Sequence, residues 1–356
     1  LSDKKVIFWI GNSLNKTEDA NYILKLVEKF YIPVATSFSA KGVINETHEL
    51  AIGNFGYAGS GLSKEIFLSD EPDVIIGFDI EQNERNSLNW NPNLYKGKEL
   101  ILINYTGSFA SKKYGKSIKD NPFYVLKTLH DSMMNLSYDN SGRKKWFKEV
   151  LEKLEVKPQN IPILEDGIIE PGRLIQIMQG ELPKESILFV DSGNHRVFAG
   201  FHWRVPAPEK YYSASIIAPL GWALAAGVGS KFYRNEPVVI FTGDGCMQMH
   251  GIELKTSIKH DKPVLVIITN NNAFGSIYKR FSKISENAAK MASIEEIDWN
   301  MFAKSFGAEV YDIFTEEDFI VHIRDFFTKQ KLTILNVRTP SAPFIYDTSL
   351  AKSAFA

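Results

Sequence analysis

A chain of 356 residues, 44% apolar and 23% charged, has the length of about two domains, each with a core of its own. Its formal charge of −1 gives no drive toward nucleic acid or an anionic membrane, and the basic cluster Arg143-Lys144-Lys145 reads as a solvated helix face. The single cysteine, Cys246, excludes an internal disulfide and fits a reducing compartment; with no long apolar run and no secretory pattern, a cytoplasmic protein is expected.

The first half alternates short apolar runs with helical periodicity. Residues 5–10 (KVIFWI) read as a strand, 18–30 as a helix, and 32–36, 74–77 and 100–103 as further strands. Each run is uninterrupted, as expected of parallel strands covered on both faces by helices, so the fold class is α/β, with doubly wound parallel sheets. The turn Gly11-Asn12-Ser13 follows a strand, yet no G-x-G-x-x-G accompanies it, which weighs against a dinucleotide site. Residues 33–48 (PVATSFSAKGVINETH) lead into a glycine-rich turn at 54–59 (NFGYAG). A polar Gly/Ser/Lys loop is expected over 105–121 and helix over 121–154. The stretch 156–172, with Pro158, Pro162 and Pro171, reads as a linker ending where a helix starts near Pro171. The expected domains are therefore 1–155 and 173–340, followed by a tail, 341–356, that is either a lid or disordered.

In the second half, residues 187–190 form a strand closed by Asp191-Ser192-Gly193-Asn194-His195, polar groups at the carboxyl edge where α/β sheets bind ligands. Taken alone, this run is equally an N-cap followed by a solvated histidine. Residues 213–229 (SASIIAPLGWALAAGVG) read as a loop beside a tightly packed helix. The strand at 238–241 is closed by Gly243-Asp244-Gly245, the amphipathic segment 249–260 would start its helix at that turn, and a second strand, 264–269, ends in Asn270-Asn271-Asn272. Strand, helix, strand is a βαβ unit whose right-handed crossover brings both strand ends to one edge, so Asp244 and Asn271 can meet. A carboxylate, an amide oxygen and a nearby carbonyl beside a helix start suit a divalent cation holding a phosphate; the plain alternative is a turn and cap. Cys246 fits a small filler better than a nucleophile. Residues 299–307 read as a helix and 332–337 as a closing strand.

The GDG turn and the Asn pair, with 24 residues between Gly245 and Asn270, resemble the signature of thiamine-diphosphate-dependent enzymes. The 33–48 run is similar to the central domain of the same family, in the branch of acetolactate synthase and the 2-oxo-acid decarboxylases, where PV…KG…E-H precedes a glycine-rich turn. The resemblance implies thiamine diphosphate and Mg²⁺ as cofactors, the metal being held by Asp244, Asn271 and the main chain of Ala273. It further implies that Gly243, Gly245, Cys246, Gly275 and Ser276 surround the cofactor, Cys246 standing where many relatives have serine. Asn194 and His195 replace a Gln-His pair that contacts the diphosphate, and Leu220 is the apolar wedge that bends the cofactor. The carbonyl of Ala218 would hold the aminopyrimidine, although Pro219 departs from the family pattern. At Ile277, where simple decarboxylases carry a catalytic glutamate, the chain is apolar, which favours carboligation.

By the same resemblance, the substrate is a 2-oxo acid and the protein a homodimer or homotetramer. The activating glutamate comes from a pyrimidine-binding domain that these residues do not contain. The chain starts at Leu1, which leads us to expect a preceding segment, with a separate subunit or a non-catalytic relative as alternatives. A nucleotide-binding or regulatory module, or a simple 2-oxo-acid decarboxylase, is the competing function. No catalytic residue of the chain itself is assigned.

Overall fold

The computed structural model describes residues 3–14, 17–107, 115–154, 161–164 and 167–341. Two compact units result: Leu1–Pro158 with Arg204–Glu209, and Gln159–Trp203 with Lys210–Ala356. Residues 204–209, placed by the sequence reading in the second domain, pack within the first unit. The tail 342–356 and linker residues 155–160 and 165–166 lie outside the described residues.

The first unit runs β1 (Val6–Ile10), α1 (Thr17–Phe30), β2 (Val34–Thr36), β3 (Ala51–Asn54), α2 (Gly61–Leu68), β4 (Val74–Phe78), β5 (Glu99–Asn104), β6 (Lys116–Lys119), α3 (Pro122–Met133) and α4 (Ser141–Lys153). Its sheet is parallel throughout, in the order β3-β2-β1-β4-β5-β6. Every residue of β1 and β4 is buried, which is why both read as unbroken apolar runs. In α1, Ile23, Leu26, Val27 and Phe30 recur at helical spacing and supply its buried stripe. Trp9 packs edge-on against Phe55 and Phe67, which stack at 4.3 Å. Gly11 closes β1 so tightly against β4 that a Cβ there would lie 1.9 Å from the Asp79 carbonyl oxygen. That turn is filled by backbone.

The second unit continues with α5 (Pro171–Glu181), β7 (Ile187–Val190), α6 (Asn194–His202), β8 (Tyr211–Ser213), α7 (Trp222–Ser230), β9 (Val238–Gly243), α8 (Asp244–His250), α9 (Leu254–Lys259), β10 (Leu265–Asn270), α10 (Gly275–Ser282), α11 (Glu286–Lys290), α12 (Trp299–Lys304), β11 (Glu309–Ile313), α13 (Glu316–Lys329) and β12 (Thr333–Arg338). Its sheet is also wholly parallel, in the order β11-β12-β10-β9-β7-β8. From β7 the chain passes to β8 on one side, and from β9 to β10 on the other. The order thus reverses between β7 and β9, and in such sheets the crevice at that reversal is where ligands bind. The fold class is as the sequence implies: doubly wound α/β in both units.

Some elements differ from the sequence reading. The polar loop expected over 105–121 contains β6, and the helical stretch 121–154 is two helices. The helix starts at the Gly243-Asp244-Gly245 turn as expected, at Asp244, but it is broken by a 3₁₀ turn, Gly251–Glu253, before α9. Strands β3, β8 and β11 and helix α13 were not anticipated.

Candidate functional site

The carboxyl ends of β7, β9, β10 and β12 share one edge because the strands are parallel, and register aligns Val190 with Phe241 and Thr269 with Gly243. A cleft opens there, at the edge where parallel α/β sheets bind ligands. Helices α6, α8 and α10 all begin at it, with Asn194, Asp244 to Cys246, and Gly275 and Ser276 among its lining residues. Helix starts carry amides without intrahelical partners, and three of them at one edge favour an anion.

Asp244 is the hub. It is 4% exposed, and its Oδ1 accepts from the amide of Gly245 at 2.9 Å. Its Oδ2 accepts from the amides of Asn271 at 3.2 Å and Ala273 at 3.3 Å, so the crossover does bring Asp244 and Asn271 together. Burial raises the pKa of Asp244, while the surrounding amides act in the opposite direction. The Asn triplet divides its work. Asn270 donates to Asn336 on β12 and accepts from the amide of Asn272, which stands in the left-handed region at φ +51°. Only Asn271 of the three lines the cleft.

On the β7 side, both amide atoms of Asn194 and the Nε2 of His195 are buried without a hydrogen-bond partner. Such atoms are costly unless something polar reaches them. His195 is 4% exposed, with Nδ1 at 3.4 Å from the Thr269 hydroxyl. Its pKa is pushed down to about 3, first by burial and then by the Arg196 charge, so the ring is neutral at physiological pH. The Cys246 thiol donates to the carbonyl of Ser192 at 3.2 Å. Burial and the Asp191 carboxylate push that thiol up to about 12, which leaves no nucleophilic thiolate.

Glycines keep this edge open. A Cβ on Gly245 would stand 2.7 Å from the Phe274 ring, one on Gly243 3.1 Å from His195, and one on Gly275 2.5 Å from Nδ2 of Asn194 and 2.8 Å from Nδ2 of Asn271. Leu220 and Ala273 also line the cleft; Ala218 does not, and its carbonyl accepts from the Ser192 hydroxyl at 2.6 Å. Pro171, Thr269, Ile277, Thr339 and Pro340 are also part of the wall. Of these only Ile277 had been weighed, because the others are apolar or hydroxyl residues at element ends and carry no chemical signature.

Among the described residues no group of three His, Cys, Asp or Glu side chains would hold a metal. A cation at this edge would instead take hard oxygens: the carboxylate of Asp244, the amide of Asn271 and the main chain of Ala273. That donor set, the unpartnered atoms of Asn194 and His195, and the glycine floor fit a diphosphate with Mg²⁺.

Residues 1–120 match the family model for the central domain of thiamine pyrophosphate enzymes, and residues 191–337 that for their C-terminal TPP-binding domain; thiamine pyrophosphate is thiamine diphosphate. The chain is 24% identical over 297 residues to a probable acetolactate synthase large subunit of Methanococcus aeolicus, covering 78% of this chain and 48% of that protein. It is 22% identical to the acetolactate synthase large subunit of Haemophilus influenzae over 96% of this chain and 60% of that protein. With the large subunit of acetolactate synthase isozyme 1 of Escherichia coli the identity is 21%, over 91% of this chain and 57% of the relative. The chain thus spans about half to three fifths of these relatives. No helix among the described residues is long and apolar enough to cross a membrane. With a matched central domain, a matched TPP-binding domain and a cleft built at the expected strand ends, the chain belongs to the thiamine pyrophosphate enzyme family.

Proposed function

We propose that these residues are the cofactor-anchoring part of a thiamine-diphosphate- and Mg²⁺-dependent lyase or transferase that decarboxylates or joins 2-oxo acids, as acetolactate synthase does. Residues 1–155 serve as its central domain and 173–340 as its diphosphate-binding domain. The observation that carries the reading is the meeting of Asp244 and Asn271 beside the unpartnered atoms of Asn194 and His195.

Asp244, Asn271 and the carbonyl of Ala273 hold the cation. Asn194, Ser276 and the amides at the starts of α8 and α10 take the diphosphate oxygens, with His195 beside them. Leu220 shapes the cleft as an apolar wedge, and the Ser192 hydroxyl orients the carbonyl of Ala218. Thiamine diphosphate, when bound, supplies the electron sink that lets a 2-oxo acid lose CO₂. The described lining residues that titrate are Asp244, His195 and Cys246. The first two are committed to anchoring and the third stays protonated, so this edge holds and orients while proton transfer falls to a glutamate from a pyrimidine-binding domain or another subunit. A homodimer or homotetramer follows if that glutamate comes from a second copy.

The test is pyruvate consumption by the complete protein with and without thiamine diphosphate and Mg²⁺. Turnover requires both and is abolished in Asp244→Ala; turnover by Asp244→Ala without Mg²⁺ would refute the reading.

A further inference from the structure

Helix α7 begins without a cap of its own. Its N-cap residue is Gly221, held in the left-handed region at φ +82°, where a side chain would be strained and would in any case collide with the His250 ring, 2.4 Å from the built Cβ. The first amides of α7 therefore need an acceptor from elsewhere. Asp191 supplies it from the carboxyl end of β7, thirty residues earlier: its Oδ1 accepts from the amide of Gly221 at 2.9 Å, and the main chain of Ala223 bonds to the same carboxylate. The other oxygen, Oδ2, accepts from the Thr242 hydroxyl on β9 at 3.0 Å.

Asp191 is 1% exposed. A buried carboxylate is expensive, and here the compensation comes from hydrogen-bond donors and the positive end of a helix. Those donors belong to three elements: the β7–α6 turn, the start of α7 and β9. Next to Asp191, the Ser192 hydroxyl donates to the carbonyl of Ala218. The two residues thus grip both ends of the segment 218–221, Ala218 by its carbonyl and Gly221 by its amide. Between those grips stands Leu220, which lines the cleft, while Asn194 and His195 leave the same turn to line it as well.

We propose that Asp191 is a positioning residue: capping α7 from the end of β7, it sets where Leu220 stands relative to Asn194, His195 and Asp244. The role rests on the functional reading above, and it concerns the part of the cleft that meets the organic portion of the cofactor rather than the part that meets phosphate. Removing the carboxylate frees the amides of Gly221 and Ala223 at the start of α7, together with the Ser192 amide and the Thr242 hydroxyl, while the Ser192 hydroxyl still holds Ala218. The bonds of Asp244 to Gly245, Asn271 and Ala273 remain, as does the bond of His195 to the main chain of Asp191.

Two probes separate this role from a general structural one. Calorimetric titration of the complete protein with thiamine diphosphate plus Mg²⁺ reads the whole cleft, and titration with inorganic pyrophosphate plus Mg²⁺ reads only the anchor. In Asp191→Ala the Kd for thiamine diphosphate rises about tenfold or more, while that for pyrophosphate stays within about twofold. Asp191→Asn keeps an acceptor for Gly221 and shows a smaller loss with the same selectivity; it decides the matter by the same ratio if the alanine variant does not fold. Equal weakening toward both probes, or weakening toward neither, overturns the role. Failure of the unmodified protein to bind thiamine diphosphate would instead refute the functional reading, and this role with it.

Discussion

Gly275→Ala separates the stability of the fold from the integrity of the site. Gly275 opens α10 without a positive φ, so alanine is compatible with the backbone. The added methyl would lie 2.5 Å from Nδ2 of Asn194 and 2.8 Å from Nδ2 of Asn271, both far ends of side chains rather than backbone. Those amides can rotate away, and alanine gains up to about 1 kcal/mol over glycine in a helix, so folding stability changes little. Binding loses two amide contacts. At about 1.5 kcal/mol for the Asn194 hydrogen bond to a charged group, and about the same for displacing the Asn271 oxygen from the cation, the loss is about 3 kcal/mol, or roughly 150-fold in Kd for thiamine diphosphate with Mg²⁺. Calorimetric titration of the complete protein and thermal unfolding measure the two effects. Gly180→Ala in α5, where nothing lies within 4 Å of the new Cβ, is the control: it stabilises by about 0.5–1 kcal/mol and leaves binding unchanged. An unaltered Kd in Gly275→Ala would show that Asn194 and Asn271 do not touch the ligand. A fall in Tm beyond about 5 °C would show that the methyl is not absorbed by side-chain rotation.

Four further outcomes follow from the geometry. The Lys41 ammonium and Glu46 carboxylate, each 3% exposed and 2.7 Å apart, form a buried pair whose Glu46 also accepts from the amide of Val205; Glu46→Ala costs about 3–5 kcal/mol in denaturant unfolding, and Lys41→Met/Glu46→Gln recovers most of it. Burial pushes His202 down to about 4 from its ordinary 6.5, so the unfolded chain binds the extra proton and stability rises with pH between those values, then levels off. His202→Gln removes its own share of that slope, about 3 kcal/mol over the interval, and leaves the share of His195, which burial pushes down in the same direction; an unchanged slope in pH-dependent unfolding would count against it. Cys246 resists iodoacetamide in the folded protein at about pH 8 and reacts on unfolding, so rapid stoichiometric alkylation of the native state would contradict its burial. Because the described lining residues include the Asp244 carboxylate and no Lys or Arg, pyrophosphate binding weakens by more than about tenfold when EDTA removes Mg²⁺, and equal affinity under both conditions would refute the charge argument.

The strands that sequence reasoning recovered, β1, β2, β4, β5, β7, β9, β10 and β12, all lie inside their sheets. The four it missed, β3, β6, β8 and β11, are the four edges. The cause is physical. An interior parallel strand is covered on both faces and reads as a continuous apolar run, whereas an edge strand pairs on one side only. Thus β6 is KSIK, exposed at every residue, and β11 is EVYDI, with only Ile313 buried. Helix α13 did carry a signal, since Thr315 and Asp318 form a capping box and Phe319, Ile323 and Phe326 recur at helical spacing.

At the site, Asp244 and Asn271 were legible because a parallel crossover leaves strand ends nowhere else to go. Asn194, His195 and Leu220 needed the family resemblance, since each alone has an equally good reading as cap or packing. Asp191 stayed unassigned because its work is done on residues 30 and 51 positions away, Gly221 and Thr242, and no local pattern records that. The glycines show the same limit. What a side chain at Gly275 would displace is the pair of amides, Asn194 and Asn271, that approach from other strand ends. The chemistry of this edge therefore depends on which residues are small as much as on which are polar. The unpartnered amide of Asn194 and Nε2 of His195 then have a consequence: at about 1–3 kcal/mol for each buried polar group left unpaired, a ligand that satisfies them returns that energy to the folded state. The same atoms that make the cleft costly to fold make it selective for a ligand presenting hydrogen-bonding oxygens.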